Sequence, residues 1–291
     1  MIGPGRLGGA LALALDRAGW PLDSIVYRSN RPAASAIADA MATSVPGLIA
    51  YDELRHTASP LIIIASADPE IAVISKNLSR MISSPAIVLH TSGSLSSDVL
   101  GDLKRAGCDV GSMHPLVSVS DAFLGADRFR GAYFCIEGGT RAVDAATEIA
   151  HAVGAKPFSI ETRFKPLYHA AAVTASGHIV TVFDMAIELL SACEIDRETA
   201  RTILMPLVAS TVENLRTQEP AAALTGTFAR ADVEAFERHL SAMTSAVAKD
   251  SLRLYLEIAE RSVRLAESHG ADAAKTAGMR ERISIAKRNL G

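Results

Sequence analysis

Short apolar runs, unbroken by polar residues and each followed by a helix-forming stretch, recur along the first half of the chain. Ser24-Ile25-Val26-Tyr27, Leu61-Ile62-Ile63-Ile64-Ala65 and Ala86-Ile87-Val88-Leu89 read as strands. Cys108-Asp109-Val110-Gly111 and Ala132-Tyr133-Phe134-Cys135-Ile136 are weaker candidates of the same kind. Runs that do not alternate suit strands covered on both faces, as in a parallel sheet. The alanine-rich segments 33–42 and 142–153 lie between them and favour helix. Strands that alternate with helices build βαβ units, so an α/β, doubly wound parallel sheet is predicted.

From Phe164 the texture changes. Leu167, Ala171, Thr174, His178, Val182, Met185 and Leu189 recur at steps of three and four, one stripe of a single long helix from Phe164 to Cys193. Helical patterns follow at 197–216, 233–243 and 249–268, with no convincing strand. The chain is therefore read as two domains, 1–161 α/β and 162–291 all-α.

Composition removes several classes of function. A net charge of −3 without a Lys/Arg run argues against a protein that grips nucleic acid by overall charge. Cys108, Cys135 and Cys193 are far apart and odd in number, so they are read as small buried hydrophobes in a reducing compartment. No Cys/His cluster has metal-ligand spacing, and HExxH, GxSxG and P-loop motifs are missing, so no metal is expected. No apolar stretch approaches the ~20 residues of a membrane span. The N-terminus lacks the order of a signal peptide. A cytoplasmic protein, not membrane-bound, is the expectation.

The chemistry begins at Gly3-Pro4-Gly5-Arg6-Leu7-Gly8, a GxGxxG turn that runs into Leu7, Leu11 and Leu15 on one helix face. The first glycine allows the tight turn, the second lets backbone approach a pyrophosphate, and the third lets helix and strand pack closely. The helix N-terminus offers free N–H groups and its positive dipole end to phosphate. Only Met1-Ile2 precede the motif, so a late start of the chain, or a chance glycine-rich turn, are the two readings; the downstream pattern favours the first.

About 20 residues on, an NAD site would place Asp or Glu against the ribose hydroxyl. Here the strand closes as Tyr27-Arg28-Ser29-Asn30-Arg31, with no acid. Arg28, Ser29 and Arg31 suit the 2′-phosphate of NADP(H), the alternative being solvated loop charges. Loops after three later strands would line the nicotinamide and substrate end. Ser66, Asp68, Thr91, Ser92 and Gly93 are assigned to the cofactor and His114 to the substrate. For His114 and His90 alike, a catalytic role and a neutral ring bonded to backbone both remain open.

Lys165 and His169 share a helix face that continues through Ala172 and Ser176. A hydride delivered to a carbonyl carbon leaves charge growing on oxygen, which a lysine or histidine can neutralise or protonate. The alternative is a helix-end lysine in solvent beside a packed histidine. Ser176 is a further candidate contact for a small-molecule substrate. Arg230, in Leu224-Thr225-Gly226-Thr227-Phe228-Ala229-Arg230, is a candidate for a substrate carboxylate, and Asp232 reads as a helix N-cap.

With these residues together, the sequence resembles the bacterial family that pairs a Rossmann-like domain with the C-terminal domain of unknown function 2520. The resemblance rests on 3–8, His90-Thr91-Ser92-Gly93, Ser112-Met113-His114-Pro115-Leu116, Tyr168-His169-Ala170-Ala171-Ala172 and Leu224 through Arg230. It implies kinship with pyrroline-5-carboxylate reductase, 6-phosphogluconate dehydrogenase and ketopantoate reductases. From that follow NADP(H) use, an active site in the interdomain cleft and a homodimer through the helical domain. It also implies reduction of a small keto or imino acid, with 2-dehydropantoate a named candidate. Lys165 matches a lysine that acts on substrate oxygen in related enzymes, while His169 stands where those have asparagine. Relatives carry asparagine at Gly177 and glycine at Ala231. The alternative function is a non-catalytic NADP-binding regulator or scaffold.

Overall fold

The computed structural model describes residues 1–43 and 45–290. They divide into two compact units, Met1–Ser176 and Gly177–Gly291.

Among the described residues of the first unit, seven strands lie in chain order as β1 (Ser24–Tyr27), β2 (Gly47–Ala50), β3 (Leu61–Ile64), β4 (Ile87–His90), β5 (Asp109–Pro115), β6 (Tyr133–Gly138) and β7 (Lys156–Ser159). Strands β1 and β2 pair with each other, and β3 to β7 follow one another in a second run. Ile2 bridges both runs in parallel, to Val26 and to Ile64. Its N–H donates to the Ile63 carbonyl at 2.8 Å, and Gly3 N–H donates to the Val26 carbonyl at 2.9 Å. The chain thus leaves Ile2 with strands on either side, which makes Gly3 the point where the winding reverses.

Both faces of this sheet are covered. One core joins Leu11, Leu13 and Leu15 of the first helix (Arg6–Arg17) to Met113, Phe134 and Ile149. The other joins Ile64 and Val88 to Ile71, Leu78, Leu100 and Leu103. Burial on both sides is the reason β3 and β4 contain unbroken aliphatic runs. The five strands read from sequence are all present. Two were not legible: β2 is only half-buried, and Lys156-Pro157-Phe158-Ser159 is a mixed edge strand whose proline masks it. Strand β6 runs antiparallel to β5 and every other pairing is parallel.

The expected single helix from 164 to 193 is two helices, Lys165–Ala175 and Gly177–Ser191, broken at Ser176. Nor does its apolar stripe face a core throughout: Leu167 and Val182 are exposed, and burial begins only at Met185. The inward positions of the first piece are Lys165, Tyr168, His169 and Ala172. For this reason the division between units falls after Ser176 and not at 161/162. Lys165 and Tyr168 tie their helix to β5 and to the loop after β4 by hydrogen bonds.

One further expectation is corrected. The helical stretch Thr162–Ser191, 30 residues, is by length and composition long and apolar enough to cross a membrane. Scattered polar residues hid it, because Thr and Ser barely lower an averaged hydropathy and its two histidines are outweighed by Leu, Ile, Val, Phe and Ala.

The second unit contains Gly177–Ser191, Arg197–Thr217, Val233–Ala246, Lys249–Ser268 and Ala273–Asn289 as its long helices. Phe236, Met243, Leu256, Val263, Met279 and Ile283 form its core. The N-cap read at Asp232 is present, its carboxylate accepting from Ala235 N–H at 2.9 Å. The last helix had no clear apolar stripe to announce it.

Candidate functional site

The glycine turn sits directly beyond Ile2. Gly3 has φ +88°, and a Cβ there would lie 2.8 Å from Ser66 Oγ and 2.9 Å from the Ala65 backbone. A Cβ on Gly8 would run into the Gly3 carbonyl and approach Ala65 Cβ to 2.8 Å. These two glycines are therefore required by close packing. Gly5 differs, since a Cβ there meets nothing within 4 Å. It caps the first helix without a side-chain hydrogen bond, and no acid occupies the first turn. Open space over Gly5, free N–H groups and the positive helix end together fit a diphosphate.

Two cavities meet at this turn. One, of about 300 Å³, is walled by Ile2, Gly3, Tyr27, Arg28, Tyr51, Ser66, Glu70 and Val73. The other, of about 440 Å³, runs past Gly3, Pro4, Gly5, Arg6, Arg28, Ser29 and Asn30. Arg28 borders both. Its guanidinium is 2.5 Å from the Glu70 carboxylate. Arg31 borders neither cavity and opens the helix Arg31–Asp39, for which Asn30 is the N-cap, accepting from Ala33 N–H at 3.0 Å. Leu7 packs against the core and lines neither of these two cavities.

A second cluster lies at the carboxyl ends of β3, β4 and β5, where an open parallel sheet binds its ligands. Lys165 is fully buried, and its Nζ donates to the Ser92 carbonyl at 3.1 Å and to Ser112 Oγ at 2.7 Å. Among the described residues no carboxylate reaches it within ion-pair distance. Burial lowers its pKa below the ordinary lysine value, partly opposed by Cys135, Glu137 and Asp68. The helix-end lysine in solvent is thereby excluded.

His114 Nδ1 is 2.7 Å from Tyr168 Oη, and its ring stands edge-on to His169 at 5.8 Å between centroids. The backbone partner considered for His114 is thus replaced by a side chain. Burial, followed by the nearby Lys165 charge, lowers its pKa to about 3. His90 is the backbone-bonded ring: Nε2–H donates to the Ser96 carbonyl at 3.1 Å and Nδ1 accepts from Ser92 N–H at 3.2 Å. Burial lowers it to about 4. Both imidazoles are neutral near pH 7.

Between them, Gly93 leaves no room for a Cβ, which would meet the His169 ring and stand 2.8 Å from His114 Nε2. Thr91 and Ser92 are buried in the same loop, and Ser92 Oγ accepts from Ser94 and Leu95 N–H. Asp68 accepts from Ser94 Oγ at 2.5 Å. Ser176 Oγ donates back to the Ala172 carbonyl at 3.0 Å. Arg230 belongs to the second unit, ending the short helix Gly226–Ala229 with its side chain exposed.

Four residues escaped the sequence reading. Ser112 lies two positions before His114 on one strand and so on the same face, a signal that was present. Tyr168 stood in a motif without a role. Burial, with Cys135 adding to it, raises its pKa, so it stays a neutral hydroxyl. Glu137 accepts from Ser97 N–H, Ser97 Oγ and Thr162 Oγ1 at 2.8–3.0 Å, fixing the approach to Lys165. Glu70, the partner of Arg28, is the fourth.

Residues 1–115 match a Rossmann-like domain and residues 132–262 match the domain of unknown function 2520. A search of curated proteins by sequence returned no match. The fold is shared with a protein of Thermotoga maritima, at 23% identity and TM-score 0.69 over 92% of this chain and 98% of that one. It is shared with a candidate NADP oxidoreductase of Bacteroides fragilis, at 21% and 0.73 over 90% and 96%. Pyrroline carboxylate reductase of Plasmodium falciparum, solved with NADP bound, aligns at 12% and 0.53 over 91% and 96%.

Proposed function

For a chain that joins a Rossmann-like domain to the domain of unknown function 2520, we propose an NADP(H)-dependent oxidoreductase that reduces a small keto or imino acid. The observation that carries this reading is Lys165: a buried amine with no carboxylate among the described residues within ion-pair distance, held by two neutral acceptors beside neutral histidines. A structural lysine is normally paired or exposed, because an unpaired buried charge is costly. A lowered pKa makes this one a readier proton donor near neutrality.

Gly3, Gly5 and Gly8 with Arg6 would hold the diphosphate, and Arg28 and Ser29 the 2′-phosphate. When bound, the dinucleotide supplies the hydride. Lys165 passes a proton to the substrate oxygen or nitrogen as negative charge develops there. Ser112 and the Ser92 carbonyl fix the amine in place, and His169 and His114 border it. The NADP named with the Plasmodium reductase supports the cofactor choice, and 2-dehydropantoate heads the candidate substrates. The uncovered apolar helices of the second unit support a homodimer.

The test is NADPH oxidation followed across a panel of 2-keto acids, 2-dehydropantoate and cyclic imino acids. Lys165→Met is expected to lower kcat about 10²–10⁴-fold while NADPH affinity is kept. Turnover needs the protonated amine, so it falls as pH rises through the lysine's depressed pKa, and the alkaline limb lies below 10.5. NADPH binding without turnover across the panel would favour the regulator instead.

A further inference from the structure

Residues around the dinucleotide cavities raise a question of selectivity. The strand end at Arg28-Ser29-Asn30-Arg31 has no acid of its own. Yet a carboxylate stands there all the same, delivered from another element. Glu70 is the third residue of the helix Asp68–Leu78 that follows β3. Because Ile2 bridges β1 on one side and β3 on the other, the ends of those two strands flank it, and Glu70 reaches Arg28 across it at 2.5 Å. Both residues wall the 300 Å³ cavity, whereas only Arg28 also borders the second one.

We propose that Glu70 is a specificity-determining residue: as counter-ion of Arg28 it sets how strongly the chain prefers a dinucleotide carrying a 2′-phosphate over one without it. The inference rests on the cofactor reading above. A phosphate monoester carries between one and two negative charges near neutrality and pairs with guanidinium in the same bidentate way as a carboxylate. It therefore competes with Glu70 for Arg28, and like charges a few ångströms apart repel. A ribose bearing a free 2′-hydroxyl has no such conflict. Glu70 is the more buried partner, its side chain 30% exposed against 71% for Arg28. The phosphate must draw the arginine away from a fixed acid.

Titration calorimetry on the full chain with NADPH, NADH and the fragments 2′,5′-ADP and 5′-AMP tests this without reference to turnover. Glu70→Gln is expected to tighten NADPH and 2′,5′-ADP about tenfold, with NADH and 5′-AMP within about twofold. The gain shrinks as salt is raised. It disappears when Arg28→Ala is added, because the two side chains act as one unit. An NADPH-to-NADH affinity ratio unmoved by Glu70→Gln overturns the proposal. Binding of neither dinucleotide by the unaltered chain overturns the cofactor reading itself, so the two failures are distinct. Glu70→Asp keeps the charge at the helix start and serves as the folding control.

Discussion

His90 and His114 carry a cost that the unfolded chain does not share. A free histidine titrates near 6.5, while folding holds His90 down to about 4 and His114 to about 3. Below pH 6.5 the unfolded chain takes up protons that the folded chain refuses. Stability is therefore full above that value and is lost progressively as pH falls toward the folded values. Each ring adds up to about 1.4 kcal/mol per pH unit to the slope. Urea denaturation from pH 6.5 to 4.5 is expected to show a shallower decline for His114→Gln than for the unaltered chain. Equal slopes would mean that His114 takes up its proton equally in the folded and the unfolded chain. At this scale the sequence disclosed residue types and not partnerships. Lys165 and His169 were found because helical spacing places them on one face. Tyr168 and Glu137 were not, since their partners lie 25 to 54 residues away in the chain, whereas Ser112 was readable from its place two residues before His114.

Among the helices, ends were easier to read than faces. The first helix and Lys249–Ser268 both stop in the same way: Trp20 N–H donates to the Leu15 carbonyl and Ala271 N–H to the Ala266 carbonyl, a six-residue closure around a left-handed glycine. Gly19 has φ +79° and Gly270 +89°. Gly177–Ser191 ends identically, with Ile195 N–H on the Leu190 carbonyl, but the left-handed position is Glu194 at φ +64°. Its Cβ is strained there and its side chain is exposed, so nothing packed is lost on removing it. Glu194→Gly is expected to raise stability by about 0.5–1 kcal/mol, the αL penalty less the added freedom of the unfolded chain. A midpoint of denaturation that stays the same or falls would contradict it. The helix 164–193, by contrast, was misread as continuous. A step of three and four persists across the break at Ser176, because a single non-helical residue barely shifts the phase of the pattern. Periodicity also reveals an apolar stripe without revealing what covers it. Hence Leu167 through Val182 were assigned a face correctly and a burial incorrectly.

The whole molecule poses that question of cover directly. Arg197–Thr217, 21 residues long, buries only Ala200. Ile203, Met205, Leu207, Val212 and Leu215 are all exposed, as are Ile179, Val180 and Val182 on the neighbouring helix. Burial stabilises an aliphatic side chain by about 1.5–3 kcal/mol. Monomers rarely leave so many adjacent ones in water. Two coverings fit a surface of this kind, a bilayer or another protein chain, and Thr162–Ser191 is apolar enough for the first. Against the bilayer, the second helix places Arg201, Glu213 and Arg216 among the same apolar residues, and each is expensive in hydrocarbon. A second copy accommodates both features, since two-fold pairing sets one apolar face against its equal and leaves the charges at a wet rim. We propose that partner. Light scattering at about 10 µM, a concentration at which an interface of about 1,200–2,000 Å² is ordinarily formed, should give twice the 30.6 kDa chain mass. Leu207→Glu, 64% exposed in the single chain and so harmless to its fold, should return the mass to one chain and lower Tm. In the unaltered protein Tm should rise with concentration, as coupled assembly requires. A monomer that sediments with phospholipid vesicles would assign the surface to a membrane, and a monomer that stays in solution would leave the dimer without support.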